Sequence, residues 1–294
     1  MRVAVIGLPF FGQRVAEALV GAGIAARFLP SPVVEPRRFP RVLAELLRAD
    51  VVYAIGSRAA RGAPADLLVR LRKRLVLHWV GSDVLWARRD AAAGRLSSRV
   101  VERAVHWADA PWLVEELGAL GIAAEEHPLP LPIAWGEPVP LPETFRVLVY
   151  LPVHPGEAYD VEGTLAVIRA LPHVPFLIVG GFVPPVPLPN VEALGFVRTM
   201  ADVYHRSSVL LRLTRHDGIS HSVIEALSFG RYAVWTYRLP GVVRVATPAE
   251  AAAAIARLRI EAVGPNELGL RTAARYRADV VISEAAERLR RLAG

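Results

Sequence analysis

The sequence predicts an α/β protein built from two parallel sheets, each wrapped by helices. Three observations predict it. Apolar runs alternate with helical stretches through residue 120, the alternation resumes after residue 145, and residues 127–142 (HPLPLPIAWGEPVPLP) pack prolines too densely for either element.

Residues 3–7, 25–29, 51–55 and 75–80 read as strands, because their apolar residues run nearly unbroken, as expected of strands buried on both faces. Residues 13–20, 41–47 and 65–71 read as the helices among them. Residues 109–114 and 115–120 read as a further strand and helix. Beyond the prolines, residues 145–151, 174–181, 190–197, 209–213 and 232–236 read as strands, with helices over 159–171 and 200–206. The expected organisation is one Rossmann-like domain over 1–128, a linker over 129–143, a second Rossmann-like domain over 144–265, and a charged helical segment over 266–294 that packs back on the first. The two domains are expected to face a central cleft.

With 294 residues, 53% hydrophobic and 21% charged, the chain can fill one large core or two modest ones. The absence of cysteine excludes disulfides, thiolate catalysis and cysteine-ligated metal sites, and is compatible with a reducing cytoplasm. A metal would need His, Asp or Glu, and no cluster of these has ligand spacing, so no metal is expected. No apolar run reaches the length of a membrane span, and the chain opens on a strand rather than a signal peptide. The expected location is cytoplasmic, with peripheral contact at the inner face of the membrane.

That contact rests on charge. The net charge is +7, but residues 1–103 carry 18 Lys and Arg against 8 Asp and Glu, whereas the rest carries 17 against 20. The positive part includes Pro36-Arg37-Arg38, Arg41, Arg70, Arg72, Lys73 and Arg74. Such a field attracts an anionic lipid surface or a polyanionic acceptor; nucleic acid is not the expected partner. The competing explanation is a solvated face with cations at helix C-termini.

The most informative stretch is 209–230, VLLRLTRHDGISHSVIEALSFG. A strand runs into a loop carrying Asp217 and Gly218, then into a helix carrying Glu225. In parallel sheets ligands sit beyond the carboxyl ends of the strands, where helix N-termini aim N–H groups at anions. Glu225 lies off the apolar arc of Ile219, Val223 and Leu227 and is free to face such a site. The alternative is a capping box of Ser222 with Glu225.

An acid, seven residues, an acid, then Ala-Leu-x-x-Gly resembles the retaining group 1, family 4-like glycosyltransferases of the GT-B fold. There the first position is usually Glu; here it is Asp217. The resemblance implies a metal-independent, hexosyltransferase-like enzyme that moves a sugar from a nucleotide diphosphate sugar to an acceptor (glycan, lipid or small molecule) with retention. It gives Asp217 the hydroxyls of the donor sugar, the Gly218–Ile219 backbone the diphosphate, with Ser220 beside it, and Glu225 the ribose hydroxyls. Asp217→Ala is then expected to spare nucleotide affinity.

Two further segments resemble the family. Gly7 and Gly12 look like its glycine loop at the cleft edge; a dinucleotide fingerprint is spoiled by Pro9. His78-Trp79-Val80-Gly81-Ser82-Asp83 places polar residues where an apolar strand stops, and the resemblance implies His78 near the donor sugar or leaving phosphate, and Ser82 and Asp83 near the acceptor. A cap for the next helix is the other reading of Ser82 or Asp83.

The sequence departs from the family after Leu151. The family usually offers an Arg and a Lys there to neutralise the leaving diphosphate, but Pro152-Val153-His154-Pro155-Gly156-Glu157 has neither. Arg212 and Arg215 are the expected replacements. Arg212 is preferred because a charge inside VLLRLT is costly unless paired; an ion pair with a neighbouring acid is the alternative. His154 and His216 are weaker anion candidates. The second functional class is a GT-B-like protein that binds nucleotide or glycan with weakened catalysis.

Overall fold

The computed structural model describes residues 1–31, 37 and 39–294; Pro36 and Arg38 of the basic cluster lie outside the described residues. The chain divides into two compact units, residues 1–132 with 278–294, and residues 133–277.

The first unit runs β1 (Arg2–Gly7), α1 (Pro9–Gly21), β2 (Ala25–Phe28), α2 (Phe39–Arg48), β3 (Val51–Ile55), α3 (Pro64–Arg70), β4 (Arg74–Trp79), α4 (Ser82–Ala92), α5 (Ser98–Arg103), β5 (Val105–Ala108), α6 (Pro111–Gly118) and β6 (Ala124–Glu126). The strands form one sheet in the order β2-β1-β3-β4-β5-β6, and every pairing in it is parallel. All of β3 is buried, as its unbroken apolar sequence requires.

The second unit runs β7 (Val147–Tyr150), α7 (Val161–Ala170), β8 (Phe176–Val179), β9 (Val191–Gly195), α8 (Met200–Arg206), β10 (Val209–Arg212), α9 (His221–Ser228), β11 (Tyr232–Trp235), β12 (Val242–Arg244), α10 (Pro248–Glu261), α11 (Glu267–Ala273) and a 3-10 turn (Ala274–Tyr276). Its parallel sheet has the order β12-β11-β10-β7-β8-β9. The chain winds outward from β7 through β8 to β9, then crosses to the other side of β7 with β10. That reversal makes the carboxyl ends of β7 and β10 a topological switch point, where doubly wound sheets hold ligands.

The last helix, α12 (Ala278–Ala293), belongs to the first unit, where Ala285, Ala286 and Leu289 join the core of Val5, Tyr53, Ile55 and Trp107. The stretch expected as one terminal segment, 266–294, is therefore divided, with α11 packing on α9 in the second unit. Within the segment expected as linker, Leu129 and Leu131 are buried in the first core.

Prolines account for two departures from the expected boundaries. Pro9 opens α1, which includes Gly12, so helix begins four residues earlier than the sequence suggests. Pro111 opens α6, and the strand expected over 109–114 lies upstream at β5, where His106 and Trp107 disguise an apolar run. Proline suits a first helical turn, whose N–H groups have no partner within the helix, and cannot donate to a ladder. α10, absent from the sequence reading, starts the same way on Pro248, with the Thr247 hydroxyl accepting from Glu250 N at 3.2 Å. Among the described residues no helix is long and apolar enough to cross a membrane.

Candidate functional site

Tyr150 and Arg212 are the last residues of β7 and β10, strands that pair directly, so both stand at the switch point of the second sheet. The loop after β10 folds back, with Thr214 bridging to Tyr159 and the Arg215 N–H donating to Ala158 O at 2.7 Å. Asp217 thereby reaches Arg212: Nε donates to its Oδ2 at 2.7 Å, and Nη2 stands 2.7 Å from the same oxygen. Only 11% of the Arg212 side chain and 19% of the Asp217 side chain is exposed. The Arg212 guanidinium lies 5.2 Å from the centre of the Tyr159 ring, and the Asp217 N–H donates to the Tyr237 hydroxyl at 3.1 Å.

Electrostatics follow from this burial. Desolvation works against the Arg212 charge, but Asp217 and Tyr159 together hold its pKa above the ordinary value. Desolvation lifts the Asp217 carboxyl, while Arg212, His216 and the Gly218 N–H oppose the rise. Burial likewise raises the Tyr150 hydroxyl, against the pull of Arg212. The ion pair with a neighbouring acid that the sequence allows for Arg212 is thus present. Arg212 is bound to an acid, whereas Arg215 is 64% exposed and only loosely engaged, 3.6 Å from Asp160.

Gly218, Ile219 and Ser220 are buried and lead into α9, whose N-cap Ser220 makes no side-chain capping bond. Its hydroxyl instead meets that of Ser222 at 3.0 Å. Glu225 is half-buried on the same helix. Its Oε1 accepts from Ala134 N at 3.0 Å and its Oε2 from the Tyr204 hydroxyl at 2.7 Å, and Ser222 lies inside the helix rather than at its cap. The capping-box alternative is therefore not the geometry found. His154 is exposed and His216 is 8% exposed.

In the first unit several candidates make contacts within the scaffold. His78 is 1% exposed, and its two ring nitrogens meet the Tyr53 hydroxyl and the His127 carbonyl. Burial holds its pKa well below the ordinary value. Asp83 is 2% exposed and accepts backbone N–H groups of Val80, Gly81 and Val84 at 2.9–3.1 Å, closing the turn into α4. The capping contact that the sequence also allows is thus present, and burial pushes the Asp83 carboxyl up to about 6. Ser82 is exposed.

Gly7 and Gly12 do not form one ligand loop. Gly7 has φ +107°, and a Cβ there would sit 1.9 Å from Ile55 O. Gly12 lies within α1, where a Cβ would meet the Phe28 ring at 2.5 Å. Both permit close packing. The basic excess is partly used inside this unit. Lys73 Nζ donates to the carbonyls of Leu47 and Ala49 at 2.9 and 2.6 Å, Arg290 donates to Ala22 O at 2.8 Å, and Arg74 donates to Ala293 O. These are cations on helix C-terminal carbonyls, where the dipole favours them.

The sequence reading missed Tyr150, Tyr159, Tyr204 and Tyr237. Tyr150 was legible as the polar-tipped end of an apolar strand; the others become neighbours of the acids only through sheet order.

No protein-family model matches the chain, and no curated protein matches it. Among solved structures, sucrose-phosphate synthase from Thermosynechococcus elongatus superposes with a TM-score of 0.72 at 14% identity, over 99% of both chains. HepE from Anabaena, solved with UDP and glucose, gives 0.69 at 13% identity over 98% of this chain and 99% of that one. A glycosyltransferase from Rickettsia africae gives 0.62 at 11% identity over 99% and 98%. The two parallel six-stranded sheets with their interleaved helices are the GT-B fold.

Proposed function

We propose that the chain is a glycosyltransferase that moves a sugar, of the hexosyl class, from a nucleotide diphosphate sugar to an acceptor with retention of configuration and without a metal. The observation that carries this reading is the content of the second switch point. There Arg212 ends β10 and pairs with Asp217 of the loop that follows, and a second acid, Glu225, separated from Asp217 by seven residues, rides the following helix, within a pattern that resembles retaining enzymes of this fold. Solved structures of the same fold include complexes with UDP and a sugar.

In this reading Glu225 takes the ribose hydroxyls. Its carboxylate is half-buried and aimed in advance by the Ala134 N–H and the Tyr204 hydroxyl. The diphosphate lies against the start of α9, over the 218–220 backbone, with Arg212 and Arg215 supplying charge. Catalysis is chiefly electrostatic: donors set in advance where negative charge builds on the departing diphosphate.

The test is donor turnover by the purified chain across UDP-, GDP-, ADP- and TDP-sugars, with and without EDTA. Product of retained configuration in the presence of EDTA supports the proposal. Failure to bind any nucleoside diphosphate in calorimetry rejects it.

A second reading, a nucleotide- or glycan-binding protein with weakened turnover, is favoured by the β7 loop, where Pro152-Val153-His154 stands without a cation. Tight nucleotide binding with no turnover of any donor would select it.

A further inference from the structure

We propose that Asp217 is a positioning residue for a phosphate-binding arginine, and not a ligand of the donor sugar. This rests on the donor site proposed above, and departs from the role that the family resemblance gives the first acid.

Geometry carries the inference. Arg212 Nε and Nη2 both meet the same carboxylate oxygen of Asp217, Oδ2, along one edge of the guanidinium. Tyr159 holds the same guanidinium from a second side, through a side-chain hydrogen bond and with its ring centre 5.2 Å away. The Gly218 N–H also acts on the Asp217 carboxylate. Aspartate is one methylene shorter than the glutamate usual at this position, which keeps its carboxylate close to its own backbone, itself tied to the Tyr237 hydroxyl. The acid is thus turned towards Arg212 and the loop that carries it.

Energetics point the same way. A buried ion pair is a poor device for stability, because desolvation of both charges offsets their attraction, and apolar side chains of similar volume serve a core at least as well. This pair sits at the carboxyl end of β10, beside the end of β7, where the fold holds ligands. Its use there is to hold a long, flexible arginine in one orientation before the diphosphate arrives, so that ordering is not charged to binding. Arginine suits phosphate because its fork is planar and always charged. The net charge of the pair is zero, and exposed Arg215 adds the attraction the pair lacks.

A double-mutant cycle tests this on the full chain. UDP, uridine and UDP-glucose are titrated by calorimetry against wild type, Arg212→Gln, Asp217→Asn and the double variant. Acting through Arg212, Asp217→Asn lowers UDP affinity at least tenfold, leaves uridine within twofold, and leaves the ratio of UDP-glucose to UDP affinity unchanged. The double variant then binds UDP no more weakly than Arg212→Gln alone. A direct sugar ligand gives the opposite: UDP affinity within twofold of wild type and a selective loss for UDP-glucose, or losses that multiply in the double variant. Either overturns the proposal. Should Asp217→Asn not fold, Asp217→Glu keeps the charge on a longer arm. It is expected to bind UDP less tightly than wild type, with uridine unchanged; UDP affinity equal to wild type together with altered affinity for UDP-glucose would count against positioning. If wild type binds none of UDP, GDP, ADP or TDP, the donor site fails and this proposal falls with it, an outcome distinct from additive losses.

Discussion

The Tyr204 hydroxyl donates to Glu225 Oε2 at 2.7 Å, joining α8 to α9 across 21 residues of sequence. Oε1 of the same carboxylate accepts from Ala134 N, 91 residues away. Glu225 is therefore held at a defined angle by two donors that no local pattern places near it. The hydroxyl is itself held in its neutral form: burial, with the neighbouring Glu225 charge, pushes the Tyr204 pKa well up.

Tyr204→Phe keeps the ring that stacks on Phe229 and removes only the donor. The expected cost to stability is about 1.5–3 kcal/mol, the range for a hydrogen bond to a charged group. Urea unfolding measures it. Glu225→Ala removes the acceptor itself, and if Glu225 holds the ribose, nucleotide affinity falls about tenfold or more, from the loss of charge-assisted bonds worth about 1.5–3 kcal/mol. Calorimetry showing wild-type affinity for UDP, GDP, ADP and TDP would remove Glu225 from the site.

Gly136→Ala should destabilise the second unit. A Cβ at position 136 would stand 2.1 Å from the Phe229 ring, and that ring is fully buried against Tyr204, with no slack to retreat. Overpacking of this kind costs about 1–3 kcal/mol. Thermal unfolding with a downward shift confirms the contact; an unchanged midpoint would mean that residues 133–140 rest less firmly on α9.

Asp83→Ala separates scaffold from site. The Val80 and Gly81 N–H groups just before α4 lose the Asp83 carboxylate as acceptor, while the Val84 N–H keeps Gly81 O, and a buried donor left unsatisfied costs about 1–3 kcal/mol. Stability of the first unit should drop while UDP affinity stays within twofold. A variant of normal stability that loses acceptor transfer would restore Asp83 to the site.

Acid should weaken the first unit before the second. Burial depresses the pKa of His78, His106 and His127, all in residues 1–132. Below the ordinary value of 6.5 the unfolded chain takes up protons that the folded one refuses, so their contribution is complete above about 6.5 and is lost as pH falls. Asp83 runs the other way, since its folded pKa of about 6 exceeds 3.8 and its contribution grows as pH falls below 6. The interval from 6.5 to 6 therefore belongs to the histidines. Urea titrations at pH 7.5 and 6, read by limited proteolysis to tell the units apart, should show the first unit alone losing resistance.

Much of the candidate site's framework is legible in the sequence, and less of its wiring. The run 209–230 marks a strand, a loop and a helix because apolar spacing changes from continuous to helical there, and the structure places β10 and α9 within it. Arg212 inside an apolar strand signals that a counter-charge is required, and Asp217 supplies it. His78 shows where local sequence stops being informative. A histidine at the end of an apolar strand looks the same in sequence whether it faces a ligand or a tyrosine, and here Tyr53 from the adjacent strand meets it.

The sequence by itself determined the alternation of elements, the parallel character of both sheets, and the presence of two carboxylates around the start of one helix, because each depends on side-chain periodicity over a few residues. Tertiary structure alone decided whom those groups meet: Asp217 the arginine that ends the strand before its loop, Glu225 a tyrosine and a distant backbone N–H, His78 the His127 carbonyl 49 residues away. A polar atom's partner is set by which segments the strand order brings alongside it, and that order is an outcome of packing the whole sheet, to which local spacing is blind.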